Sequence, residues 1–186
     1  RRGRPFHLAV RVAATLESCR RIGYDLPAWV DEGLCDIVIA GGGALTDPGV
    51  EVEKFRELLN GTGISFYPGF DSGFWGEHQG LMPQADWDHA WVRAIAQGYW
   101  ARGADGMYVF NWHANERTRR PLLTTIGSSQ TLRGTDKVYA SLHRHITAED
   151  GDWAGADLHD RIYGETPVEL HHTLTGDGPR FYIAVY

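Results

Sequence analysis

The stretch Ala104-Asp-Gly-Met-Tyr-Val-Phe-Asn-Trp-His113 decides the fold class. It follows a helix-like segment, residues 86–102, that ends on Gly103. Glycine suits the position after a helix because it tolerates positive φ. Met107 to Phe110 is a short apolar run with β-branched and aromatic members. Such a run reads as a strand buried on both faces, as in a parallel sheet. It breaks into Asn111-Trp-His-Ala-Asn-Glu116. An apolar strand with a polar and aromatic tip is the pattern of an α/β protein whose site lies at the carboxyl ends of its strands.

Upstream, the same pattern repeats. Phe6 to Val12 reads as a strand. Thr15 is placed to cap a helix that stops near Gly23, and Asp25 to cap a second one with Pro27 in its first turn. Trp29, Val30 and Leu34 are expected on one face of that second helix, which Gly33 ends. Cys35 to Ala40 is the next strand, followed by Gly41-Gly-Gly43. The triplet is no phosphate loop: neither GxGxxG nor GxxxxGK[ST] is present, and Asp47-Pro48 intervenes before any helix. It reads as a flexible strand exit close to a ligand. Val50 to Leu59 is amphipathic, with Val52, Phe55, Leu58 and Leu59 on one face, and Gly61 and Gly63 follow. Ile64 to Pro68 is the third strand, and residues 69–85 form a loop long enough to be functional. Asp86 is expected to cap the helix that carries Trp87, Trp91, Ile95 and Tyr99.

Four βα units with right-handed crossovers imply a parallel sheet, with strands adjacent in chain order and helices on one side. A full (β/α)8 barrel takes about 250 residues, so four units are half of one. Beyond residue 113 the pattern changes. Residues 117–131 show no clear period, residues 136–145 fit a helix, and residues 168–174 and 180–186 fit a hairpin around Thr175-Gly-Asp-Gly-Pro179. The expected organisation is α/β: residues 1–145 as the carboxyl half of a (β/α)8 barrel, and residues 146–186 as the start of an antiparallel β-sandwich. A doubly wound sheet of flavodoxin type is the rival fold.

Composition narrows the partners. The chain has 186 residues, 42% of them apolar, and a net charge of −6. No basic patch argues for nucleic acid, and no apolar run of about 18 residues argues for a membrane span. Cys19 and Cys35 form no CxxC and read as buried thiols. His143 and His145, two apart on the expected helix, do not share a face. His171 and His172 alternate across the expected strand. No metal or cofactor is expected. The chain does not begin with Met and enters a strand almost at once, so it reads as a piece of a longer protein, and its compartment stays open, cytoplasmic or exported.

Three stretches carry a resemblance: Arg11-Val with Gly23-Tyr-Asp-Leu-Pro-Ala-Trp-Val-Asp-Glu-Gly-Leu-Cys-Asp36, Gly98-Tyr-Trp-Ala-Arg-Gly-Ala-Asp-Gly-Met-Tyr-Val-Phe-Asn-Trp112, and Leu132-Arg-Gly-Thr-Asp-Lys-Val-Tyr139. Over roughly residues 6 to 140 the chain resembles bacterial glycoside-hydrolase-like proteins, the large TIM-barrel proteins labelled family-10-like, whose barrel precedes a β-sandwich. The resemblance implies that these strands are the fifth to eighth of a barrel and that the partner is a carbohydrate. It also implies a nucleophilic carboxylate at the end of the third strand here. That strand runs Phe66-Tyr-Pro-Gly-Phe-Asp71, a departure from the family's Glu.

Glycoside hydrolysis needs two carboxyl groups about 5–9.5 Å apart. Asp71 and Glu77, both in the third loop, are the expected pair. Glu116 is a further acid after the fourth strand, while Asp36 and Asp105 precede strands and read as structural partners on the opposite end. Arg11, at a strand's carboxyl end, is suited to bind a carboxylate-bearing sugar or to orient an acid. Trp75 and Trp112 are expected sugar platforms. His78, Asn111 and His113 are expected to hydrogen-bond hydroxyls. The alternative is a carbohydrate-binding or structural barrel without an acid pair.

Overall fold

A computed structural model describes residues 6–41, 49–71, 84–110 and 119–139. Four strands, β1 (Ala9–Val12), β2 (Ile37–Gly41), β3 (Ser65–Asp71) and β4 (Tyr108–Phe110), form one sheet in the order β1-β2-β3-β4. Every neighbouring pair is parallel. Helices α1 (Leu16–Arg21) and α2 (Leu26–Asp31) join β1 to β2. Helix α3 (Val52–Leu58) joins β2 to β3, α4 (Gln84–Ala101) joins β3 to β4, and α5 (Arg119–Ile126) and α6 (Ser129–Leu132) follow. The expected α/β class and strand sequence therefore hold. Strand order equal to chain order has no reversal, and a doubly wound sheet requires one.

Strand alternation sorts the sheet into two faces. In register, Val10 lies beside Val38 and Phe66, and Val12 beside Ala40. These residues and Phe70 join the helix residues Cys19, Leu26, Val30, Val52, Phe55, Val92, Ile95 and Tyr99 in one core. The helices thus cover one face of the sheet. Phe55 of α3 stacks on Phe66 with ring centroids 5.0 Å apart, and Phe70 meets Tyr99 at 5.3 Å. Residues of the other parity, Ala9, Arg11, Ile37, Ile39 and Tyr67, stay out of this core.

The helix starts are local chemistry. Thr15, fully buried, accepts from Ser18 N at 3.0 Å. Asp25 accepts from Ala28 N at 3.3 Å, with Pro27 in the first turn. Each satisfies a backbone donor that the helix itself leaves unpaired. Gly23, Gly33, Gly61 and Gly103 take positive φ where helices end, as a helix C-terminus favours.

Asp36 and Asp105 repeat one device at the amino ends of the strands. Asp36 accepts from Leu8 N at 2.7 Å, and Asp105 from Phe66 N at 2.8 Å. Each acid stands before one strand and holds the beginning of the preceding strand. Asp105 also takes Arg56 Nη1 of α3 at 2.6 Å, locking helix, strand and turn together. Their expected structural role on that end of the sheet is what they perform.

Several boundaries differ from the sequence reading. Strand β3 runs past Pro68 to Asp71, because Gly69 and Phe70 pair with Tyr108 and Val109 and Phe70 is fully buried. Asp86 lies inside α4, which begins at Gln84. Leu34, expected on the buried face of α2, falls beyond Gly33 and is 49% exposed. Residues 119–132 form two helices where no period was legible. Residues 136–139 are not helical: Asp136 O accepts from Arg93 Nε at 2.7 Å and Val138 N donates to Ala90 O at 3.2 Å. That segment spends its backbone groups on α4 instead of on a helix of its own. The expected β-sandwich, residues 146–186, lies outside the described residues.

Candidate functional site

The face of the sheet turned away from these helices is concave. Three spacings of about 4.8 Å separate the first strand of a flat four-stranded sheet from the last. Yet Arg11 of β1 places its guanidinium carbon 4.2 Å from the ring centroid of Phe110 on β4. Two edge strands meet through their side chains only if the sheet curls around that face. The curl is that of a half barrel, and Arg11 and Phe110 bridge its opening near the carboxyl ends of their strands.

The lining is aromatic. Arg11, Ile39 and Tyr67 share one register level. Tyr108 pairs with Gly69 two residues farther along, and Phe110 pairs with Asp71. A Cβ at Gly106 would lie 2.9 Å from the Tyr67 ring, so this tyrosine packs on bare backbone just before β4. Tyr67, Tyr108 and Phe110 are all part-exposed. Tyr108 and Phe110 escape the sequence reading because Met107 to Phe110 reads as one continuous apolar run, and Tyr67 because it sits mid-strand in β3. The alternation of Tyr108 and Phe110 about Val109 carried the signal, since period two puts both on one face.

Of the residues expected at the site, Arg11 is exposed on this face, and its contact among the described residues is the Phe110 ring. Asp71 is the last residue of β3, opposite Phe110 in the ladder. The structure therefore brings together Arg11 and the carboxyl ends of β3 and β4. Trp75, Glu77, His78, Asn111, Trp112, His113 and Glu116 lie outside the described residues.

One acid near this end was missed. Glu51 precedes α3, and its carboxylate is mostly shielded. Its Oε2 accepts from Leu16 N at 3.4 Å and its Oε1 from Lys54 Nζ at 2.6 Å, while Glu51 N donates to Ala14 O. Oε2 and the backbone N–H tie the start of α3 to β1–α1, and Oε1 is held by Lys54 of α3 itself, so Glu51 is scaffold rather than reagent. No sequence period announces such a contact, because it is set by where two helices begin in space.

Gly41 ends β2 beside this rim. Its φ is 82°, and an added Cβ would lie 2.9 Å from Val50 Cγ2. The glycine triplet is thus needed at its first member for conformation and for close approach. Gly41→Ala is expected to destabilise the fold by about 1–3 kcal/mol, from the left-handed backbone and the crowding of Val50. Urea denaturation measures it; an unchanged midpoint would show that the rim relaxes freely.

Among the described residues no group of three His, Cys, Asp or Glu side chains could hold a metal ion. Among them, too, no helix is long and apolar enough to cross a membrane. Cys19 and Cys35 are buried free thiols, and burial pushes both above their ordinary value of 9.0. Both are therefore expected to resist thiol reagents at neutral pH until the chain unfolds, since the thiolate is the nucleophile. A raised folded value means that the protonated thiol stabilises the fold, and this contribution fades as pH climbs past 9. Labelling with and without denaturant measures the first effect; rapid labelling of the folded chain would refute it.

No protein-family model matches the chain, and no curated protein matches it.

Proposed function

We propose that the chain is the carboxyl half of a (β/α)8 barrel, followed by the start of a β-sandwich, and that it acts on the glycosidic bonds of an oligo- or polysaccharide. The observation that carries this reading is the union at one end of the sheet of a cation, aromatic rings and the residue that ends β3. Arg11 lies on Phe110, and Phe110 stands opposite Asp71. Sugar sites combine these elements: apolar C–H faces pack on rings, and hydroxyls and the glycosidic oxygen meet charged and polar groups. Barrel loops all emerge at this end, so residues distant in sequence converge there.

In this reading Asp71 and Glu77 form the carboxyl pair. One protonates the departing oxygen and the other acts on the anomeric carbon, directly or through water. Trp75 and Trp112 stack on sugar rings, and His78, Asn111 and His113 hydrogen-bond hydroxyls. The chemistry uses carboxyl groups alone and asks for no cofactor. The full-length protein should bind and cleave members of an oligosaccharide panel, followed by calorimetry and reducing-end release. Trp112→Ala should weaken binding by about 1–3 kcal/mol through the lost aromatic burial. A protein that neither binds nor cleaves any member is not a carbohydrate-active barrel.

A second reading, a carbohydrate-binding barrel without turnover, draws on the same cation. Arg11 is engaged by a ring and by no carboxylate among the described residues. Binding without reducing-end release in the same assay selects it.

A further inference from the structure

We propose that Arg11 forms an anionic-sugar subsite, which takes the carboxylate of a uronic acid residue. The proposal rests on the carbohydrate reading above and narrows it to a substrate class.

Arg11 is placed where a scaffold arginine would not be. It lies on the concave face, outside the core shared by sheet and helices, and it is exposed. Five other described arginines have evident structural partners, whereas Arg120 and Arg133 are exposed without one among the described residues. Arg20 and Arg21 pair with Glu17, Arg56 with Asp105, and Arg102 with Glu53, while Arg93 holds the carbonyl of Asp136. The contact of Arg11 is a ring, Phe110, at 4.2 Å. A guanidinium held over a ring engages it through its charge and leaves its N–H donors unspent on an acceptor. Their fork matches a planar carboxylate in two parallel hydrogen bonds. The ring also fixes the side chain in advance, which lowers the entropy lost when a ligand is captured.

The surroundings select a sugar acid over a bare ion. Ile39 and Tyr67 share Arg11's register level, and Tyr108 and Phe110 continue the same face toward the carboxyl ends. A free inorganic anion gains nothing from this apolar lining. A uronic acid residue presents a carboxylate to the fork and a C–H face to the rings.

The test uses the full-length protein with oligogalacturonates and with the same oligomers after carboxyl reduction, which keeps length and linkage and removes the charge. Calorimetry should show the acidic oligomers binding about tenfold more tightly or better, as a charge-assisted pair is worth. Arg11→Gln should abolish the preference, read as the ratio of the affinities for acidic and reduced oligomers. Arg11→Lys, which keeps the charge and loses the fork, should retain only part of it. Phe110→Leu should reduce the preference by releasing the guanidinium from its ring. Thermal melts of each variant verify folding, and Arg11→Lys carries the test if Arg11→Gln does not fold. If reduced and acidic oligomers bind equally, or if the preference survives Arg11→Gln, the subsite is refuted while the carbohydrate reading stands. If neither form binds and the neutral panel fails as well, both fall.

Discussion

Phe66→Ala is expected to destabilise the described fold by about 3–5 kcal/mol, the range for truncating a buried phenylalanine. Phe66 lies within β3, an interior strand of the sheet, and is fully buried. Its ring stacks on Phe55 of α3 at 5.0 Å with only 14° between planes. Its own N–H is held by Asp105, and its carbonyl accepts from Asp105 N. Backbone and side chain are therefore pinned from opposite sides, and the site has little freedom to collapse into the space left behind. A domain of this size loses about 2–4 °C per kcal/mol, so the melting temperature should fall by roughly 6–20 °C. Total stability is about 5–15 kcal/mol, so the loss is a large share of it, and the melt should be followed by circular dichroism from low temperature. Phe66→Leu, which keeps most of the apolar volume, should lose less. A drop within one degree for the alanine variant would mean that the sheet and α3 are not packed as described.

The sequence made the frame legible because its signals are local. Thr15, Asp25 and Gly103 act on backbone groups within a few residues, so their types and positions suffice to read them. Strand centres were legible from apolar runs, and parallel order followed from the intervening helices. The sequence reading ends the third strand at Pro68, yet Phe70 two residues later is buried in the core. Tertiary burial continued the strand where local propensity ended it. Helices α5 and α6 were too short to display a period. Pro121 in the first turn of α5 and the buried pair Leu122 and Ile126, four apart, were the readable marks. The site was legible only in part. Arg11 could be placed at a strand's carboxyl end, but its partner Phe110 comes from the opposite edge of the sheet. The stacking of Tyr67 on Gly106 likewise joins neighbouring strands. Such contacts depend on curl and register, which emerge from the whole sheet.

Asp71→Asn and Glu77→Gln, made separately in the full-length protein, are expected to lower turnover by about 10²–10⁴-fold each, the worth of a positioned acid or base. Ground-state affinity should change little, since an amide keeps the size of the carboxyl and the lost interaction acts in the transition state. The two variants need not behave alike. Asp71 ends β3 opposite Phe110, so its backbone is fixed by the ladder. A residue so anchored suits the group that acts at the anomeric carbon, whose position must be held. On the carbohydrate reading proposed above, Glu77 would then be the group that protonates the departing oxygen. An activated aryl glycoside carries a leaving group stable enough to depart without a proton. Glu77→Gln should therefore be nearly restored on that substrate, while Asp71→Asn stays impaired on both. Rates on natural and aryl glycosides, measured for the parent and each variant, separate the roles. If the pattern is reversed, the assignments exchange. If cleavage occurs and neither substitution slows it, these two residues are not the acid pair and the chemistry belongs to other carboxyl groups. If the parent binds sugars and cleaves none, the curled sheet with Arg11 on Phe110 serves a binding protein.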